Sequence, residues 1–190
     1  MPCERALSRR IDGLLRDHPR VIVAVDGGSA AGKTTLAARL RERYGCNVLH
    51  MDHFFLRPEQ RTAERLARPG GHADVERFQA EVLRPLRAGL ALSYRPYDCG
   101  RQALGPPITV TPRPVNIVEG VYSCHPLLWD TYDLRVFLCV DPEAQRRRIL
   151  TRDGPVKARR FRDEWIPMET AYFAAFDLKR RCEFSLTFRP

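Results

Sequence analysis

Val21-Ile22-Val23-Ala24-Val25-Asp26-Gly27-Gly28-Ser29-Ala30-Ala31-Gly32-Lys33-Thr34-Thr35 is the stretch that decides the fold. Val21 to Val25 is a continuous apolar run without alternation, the pattern of a central parallel strand covered on both faces. The run breaks at Asp26-Gly27-Gly28, and from Lys33 the spacing of Leu36, Ala37 and Leu40 becomes helical until Gly45. Residues 47–51 read as a second strand, so strand, Gly-rich turn, helix and strand make one βαβ unit. Within it, Gly27 to Thr34 fits G-x-x-x-x-G-K-[ST] at each fixed position and in the strand-to-helix context that gives the motif meaning. Glycines let successive backbone N–H groups turn inward onto phosphate oxygens, and the helix N-terminus adds the positive end of its dipole. Lys33 is expected to reach the β and γ phosphates, and the Thr34 hydroxyl to ligate Mg²⁺. Gly27, Gly28, Ser29, Ala30, Ala31, Gly32, Lys33, Thr34 and Thr35 are therefore the candidate cradle for a nucleoside triphosphate, with ATP and Mg²⁺ as expected cofactors.

Outward from this unit the chain keeps an α/β pattern. Residues 4–17 form an amphipathic lead-in helix on Leu7, Ile11, Leu14 and Leu15, ended by His18-Pro19. Residues 56–72, rich in Arg, Pro and Gly, read as a loop. An amphipathic helix follows over 74–84, disturbed at Pro85 and closed at Gly89. Residues 90–113 read as a small hairpin over the sheet. Apolar strands are expected at 115–118 and 134–140, with a short helix at 126–129 between them. The segment 143–151 is a basic helix and 153–162 a charged loop. Trp165, Met168, Tyr172 and Phe176 form a helical stripe behind Pro167, read as core packing rather than a cofactor site. Residues 183–188 alternate like an edge strand. The expected architecture is a P-loop three-layer sandwich with a mostly parallel central sheet, in a single domain covering residues 1–190.

Composition excludes several classes. No apolar run approaches a membrane span, and the N-terminus lacks the apolar centre of a signal peptide, so a cytoplasmic protein is expected. Six cysteines are scattered singly, without a C-x-x-C pair, and read as reduced and mostly buried thiols. His50, His53, His72 and His125 show no metal-ligand spacing and read as structural. The formal net charge of +9 is the footprint of a nucleic-acid binder, yet only Lys33, Lys157 and Lys179 among the 32 Lys+Arg are lysines. That skew indicates a general arginine bias.

The acids at the ends of the other strands decide what happens to the γ-phosphate. Glu119 follows the strand 115–118 and should emerge beside the cradle, at the carboxyl edge of the sheet, as a magnesium-site acid. Asp52 follows the second strand and should face the same crevice from the acceptor side, where a carboxylate can orient an attacking hydroxyl and accept its proton. From Gln145 to Arg162 there are eight Lys+Arg and a Gly154-Pro155 hinge, the makings of a lid over about 142–162 that folds onto a triphosphate.

Taken in order, Gly27 to Thr35, Met51-Asp52-His53-Phe54-Phe55, Pro96-Tyr97-Asp98, Val118-Glu119-Gly120 and Arg148-Ile149-Leu150-Thr151-Arg152-Asp153 make the chain resemble the uridine kinase family of P-loop kinases. The resemblance implies transfer of the ATP γ-phosphate to the 5′-hydroxyl of a uridine- or cytidine-like nucleoside. It also implies Asp52 as general base and sugar ligand, Glu119 as a magnesium-site acid, Tyr97 bordering the nucleoside, and Arg148 and Arg152 as catalytic lid arginines. Asp74, in the faint echo His72-Ala73-Asp74-Val75, would bind sugar. Phe55 would line the acceptor site where better-known members have Tyr.

Two further readings stand beside this one. The same scaffold serves kinases of pantothenate, sugar phosphates or nucleoside monophosphates. A nucleic-acid-stimulated ATPase fits the charge, but the aromatics are not interleaved with the basic run as a stacking platform requires. The expected partner is thus a small-molecule acceptor, with no nucleic acid and no membrane. A homo-oligomer is left open.

Overall fold

The computed structural model describes residues 2–187. Its centre is a five-stranded sheet in the order β2-β7-β1-β8-β9, formed by β1 (Val21–Gly27), β2 (Asn47–His50), β7 (Val115–Glu119), β8 (Leu134–Cys139) and β9 (Phe184–Thr187). All four pairings are parallel. The nucleating apolar run is the middle strand, and each of its seven residues is buried. Its alternate residues serve two cores. Val21, Val23 and Val25 pack with Leu7, Ile11 and Leu14 of α1 (Pro2–Asp17) and Leu36, Ala37 and Leu40 of α2 (Lys33–Tyr44). Ile22 and Ala24 face the other layer, with Val75, Phe78, Val82, Leu83, Leu86, Tyr172 and Leu178. Each such side chain contributes roughly 1.5–3 kcal/mol of transfer free energy. Two cores on one sheet are the three-layer sandwich anticipated from the unalternated strand.

The hairpin over residues 90–113 forms as two short antiparallel ladders. β3 (Leu92–Tyr94) pairs with β6 (Ile108–Val110), and nearer the tip β4 (Tyr97–Asp98) pairs with β5 (Ala103–Leu104). The helix expected over 74–84 runs on through a π-helical turn, as α4 (Val75–Phe78), Gln79–Leu83 and α5 (Arg84–Ala88). The expected strand at 183–188 is β9, at the sheet edge, and its residue Phe188 lies outside the described residues.

Two segments differ from the sequence reading. Residues 56–72 are not simply loop: a 3-10 turn at Pro58–Gln60 and α3 (Ala63–Ala67) lie within them. Thr62 caps α3 by accepting Arg65 N–H, a local hydrogen bond that outweighs the loop-like composition. The charged loop expected at 153–162 is instead helical. α6 spans Pro142–Arg160, with a single non-helical residue, Gly154 (φ 75°, ψ 172°), then a π-helical turn at Phe161–Trp165 and α7 (Ile166–Ala175). Proline suits the first turn of the resumed helix, so Gly154-Pro155 makes a hinge without ending helicity. α8 (Leu178–Arg181) leads into β9.

Among the described residues no helix is long and apolar enough to cross a membrane. Cys46, Cys124 and Cys182 are buried, Cys139 is half-buried and Cys99 exposed, and these five are free thiols.

Candidate active site

β1 ends in the turn that becomes the cradle. Gly27 has φ 136°, and a Cβ there would sit 2.2 Å from the Leu138 carbonyl oxygen, so only glycine lets β1 run against β8 at this point. Asp26, one residue earlier, is fully buried. Its carboxylate accepts Gly27 N–H at 2.6 Å, Cys124 N–H at 2.8 Å and Tyr172 O–H at 3.0 Å. Burial pushes this carboxyl up to about 6 against the opposing pull of those backbone donors and of Lys33. The Lys33 ammonium, itself buried, donates to the carbonyls of Gly27 at 2.8 Å and Gly28 at 3.0 Å. It is thereby held within the curl of the cradle, where the first N–H groups of α2 have no intrahelical acceptor.

The second wall comes from the ends of β7 and β2. Glu119 and His50 are register partners, and Glu119 Oε1 lies 2.7 Å from His50 Nδ1 and accepts Thr34 Oγ1–H at 3.2 Å. The carboxylate bond raises the His50 imidazole above its ordinary value. Gly120 (φ 142°) would carry a Cβ 2.7 Å from Met51 Cβ, so glycine after the acid lets the 3-10 turn Met51–Phe54 close in beside it. That turn carries Asp52. Asp52 opens to the cleft but is walled by protein behind; desolvation lifts its carboxyl above the ordinary aspartate range, opposed first by the charge of Lys33.

The third wall is helical. Arg148 Nη1 donates to the Ala30 carbonyl at 3.0 Å, and Gln145 Nε2 donates to the Ser29 carbonyl at 2.8 Å. Glu169 of α7 accepts Ser29 N–H at 2.9 Å and Ser29 Oγ–H at 2.5 Å. Burial raises the Glu169 carboxyl, and the two Ser29 bonds oppose the rise. Arg152 lines the cleft with its guanidinium paired to Asp153 at 2.8 Å.

One cleft of about 1810 Å³ joins these walls, bordered by Ser29, Lys33, Thr34, Asp52, Phe55, Glu119, Arg148, Arg152 and Glu169. It exceeds the roughly 300–1,000 Å³ of a single small-molecule pocket, and so has room for a donor and an acceptor together. Thr34 and Glu119 bring two hard oxygens to the mouth of the cradle. These are the residues that would hold Mg²⁺ if phosphate oxygens and water completed its coordination; no group of three His, Cys, Asp or Glu suited to a metal occurs among the described residues.

Two expected acceptor residues are not brought to the cleft. Asp74 is buried at the start of α4, where it accepts Arg77 N–H at 3.2 Å and Gln60 Nε2–H at 3.0 Å and pairs with the Arg77 guanidinium at 3.5 Å. Its oxygens are committed to capping. Tyr97 is buried too, and its hydroxyl accepts Arg61 Nη2–H at 2.8 Å. The stripe behind Pro167 is only partly core: Tyr172 is fully buried, whereas Trp165 and Met168 border the cleft. Sequence reasoning passed over Asp26 and Glu169 and read His50 as structural, whereas His50 bonds the strand-end acid Glu119 beside the cradle. The position of His50 at a strand end, two residues before Asp52, was the available signal; for Glu169 the apolar stripe around it pointed away.

No family model matches the chain. Uridine kinases from two Chloroflexus species are similar to it: that of Chloroflexus aggregans is 31% identical over 143 residues, covering 70% of this chain and 68% of the relative. That of Chloroflexus aurantiacus is 30% identical with the same coverage. A probable uridine-cytidine kinase of Caenorhabditis elegans is 28% identical over 117 residues, 53% of this chain and 47% of that one. Among solved structures, a possible uridine kinase from Bacillus stearothermophilus superposes with a TM-score of 0.69 at 22% identity, over 95% of this chain and 99% of that chain, and shares the fold. With the cradle, the strand-end acids and the arginine-bearing helix in the order that the sequence motifs anticipated, the chain belongs to the uridine kinase family of P-loop small-molecule kinases.

Proposed function

We propose that this protein transfers the γ-phosphate of ATP to a hydroxyl of a small acceptor, the 5′-hydroxyl of a uridine- or cytidine-like nucleoside; the relatives named uridine kinase and probable uridine-cytidine kinase support the nucleoside class. The observation that carries the reading is the shared cleft: the cradle residues Ser29 to Thr35 and the carboxylate of Asp52 border one space, and the charge of Lys33 acts on Asp52. Lys33 and the cradle N–H groups hold donor phosphates and stabilise the charge that spreads over the transferring group. Asp52, kept less acidic than an ordinary aspartate, orients the acceptor hydroxyl and accepts its proton. Mg²⁺, when bound at Thr34 and Glu119, neutralises phosphate charge. Arg148 already touches Ala30 and Arg152 lies further along the same helix, so closure about Gly154 brings guanidinium charge onto the phosphates and excludes water.

ADP release over a panel of nucleosides, with the phosphorylated product identified by mass, tests the proposal. A phosphate ester of one small acceptor is the expected result. ADP release stimulated by RNA or DNA and by no small acceptor overturns it.

A further inference from the structure

The arginines bordering the cleft divide by what they touch. Arg147, Arg152 and Arg160 pair with Glu143, Asp153 and Glu164 at 3.9, 2.8 and 3.1 Å. Arg148 and Arg61 have only neutral partners among the described residues. The partner of Arg148 is a carbonyl of the phosphate cradle, so its charge belongs to the donor triphosphate. Arg61 stands elsewhere, in the segment that follows the Asp52 turn, with Phe55, Leu56, His72 and Cys99 around the same space. Its charge acts on both the His72 imidazole and the Cys99 thiol, and Cys99 also feels Asp52. Arg61 is therefore on the acceptor side.

Its guanidinium is also held in place. Nε and Nη2 donate to the Leu56 carbonyl at 3.0 and 2.9 Å, Nη2 donates to the Tyr97 hydroxyl at 2.8 Å, and the group lies over the Tyr97 ring at 5.7 Å. These contacts use three of its five N–H groups and leave the two on Nη1 without a partner among the described residues. A fixed planar fork with free donors and no carboxylate suits a planar or tetrahedral anion. Arg61 is exposed, so a neutral acceptor leaves its charge to solvent, whereas an anionic group on the acceptor would pair with it.

We propose that Arg61 forms an anion subsite at the acceptor end of the cleft, and that the preferred acceptor is a hydroxyl compound that itself carries a phosphate monoester or a carboxylate. The inference rests on the phosphotransfer reading and deepens its acceptor half. It also gives buried Tyr97 a role as the residue that positions Arg61.

Matched pairs of acceptors test it: uridine 3′-monophosphate against uridine, ribose 5-phosphate against ribose, and pantothenate against its alcohol. In at least one pair the charged member should exceed the neutral one in kcat/KM by about ten- to a hundredfold, the worth of one charge-assisted contact. Arg61→Gln should abolish that preference by raising KM for the charged member at least tenfold more than for the neutral one, with KM for ATP unchanged; Arg61→Lys should restore part of it. Equal use of both members in every pair, or an Arg61→Gln loss that falls equally on both, assigns Arg61 to stapling the loop and overturns the subsite. If no member of any pair is phosphorylated, the transfer reading has failed instead, and the subsite is read by binding of ribose 5-phosphate to protein saturated with ADP and Mg²⁺. There Arg61→Gln must weaken ribose 5-phosphate and leave ribose unaffected, and equal binding to both proteins overturns it.

Discussion

Lys33 lies in the field of three carboxyl groups, Asp26, Asp52 and Glu169, and burial holds each above the ordinary carboxylate range. Each has a different task. Asp26 fastens the strand end to Cys124 and Tyr172. Because its folded value is about 6 and its unfolded value near 4, the folded state holds more protons between those limits, so its contribution to stability falls as pH rises through that window. Asp26→Asn cannot titrate. The stability of the wild type relative to Asp26→Asn should therefore fall by about 2 kcal/mol from pH 4 to pH 7, measured by urea unfolding; a difference independent of pH contradicts the assignment. Asp52 gives a kinetic counterpart. As the proposed base it would work only deprotonated, so its raised value moves the acid limb of the kcat/KM profile above that of an ordinary aspartate, and a profile flat down to pH 4 would count against the proposal. Asp52 and Glu119 were legible in the sequence because strand ends of a parallel sheet converge on one edge. Asp74 and Tyr97 lie away from the cleft because they are drawn into contacts with Gln60, Arg77 and Arg61 that no spacing announces.

At the scale of elements, the hinge inside α6 is the feature most open to test. Gly154 sits at φ 75° and ψ 172°, a region open essentially to glycine alone, and no atom lies within 4 Å of where its Cβ would be. Gly154→Ala therefore meets no clash, and its cost of about 1–3 kcal/mol falls on the hinge geometry rather than on the core. The expected outcome is a several-fold rise in KM for ATP together with a fall in kcat, read by steady-state kinetics, with the melting temperature lowered by no more than about 10 °C. A large loss of melting temperature with normal kinetics would show that the bend is structural. The sequence marked the hinge but read a loop beyond it, since Gly-Pro and dense charge resemble loop composition. Charged helices on a protein surface share that composition, and here Arg160 and Glu164 pair one turn apart. Glu169 escaped notice for the converse reason: a residue between apolar positions of a helix reads as core.

For the whole molecule, the excess of positive charge invites a polyanion, and many arginines are already answered internally. Arg65 binds Glu76, Arg87 binds Asp133 and Arg135 binds Glu183, so the gross count of 32 Lys+Arg overstates what is offered to a partner, while the net charge of +9 is unchanged by such pairs. The architecture was legible because the unalternated strand of Val21 to Val25 dictates two covering layers, and the cradle because its chemistry resides in backbone geometry that glycine positions encode. The proposed acceptor end was less legible, because that part of the cleft is assembled from three separate segments around residues 55–61, 72 and 99. The account stands most directly on Asp52. Turnover of ATP with the acceptor that gives the highest rate, compared between the wild type and Asp52→Asn with product identified by mass, should fall by about 10²–10⁴-fold in kcat while KM for ATP stays within about twofold. Equal turnover in the two proteins, or ADP release without any phosphorylated small molecule in either, would contradict it.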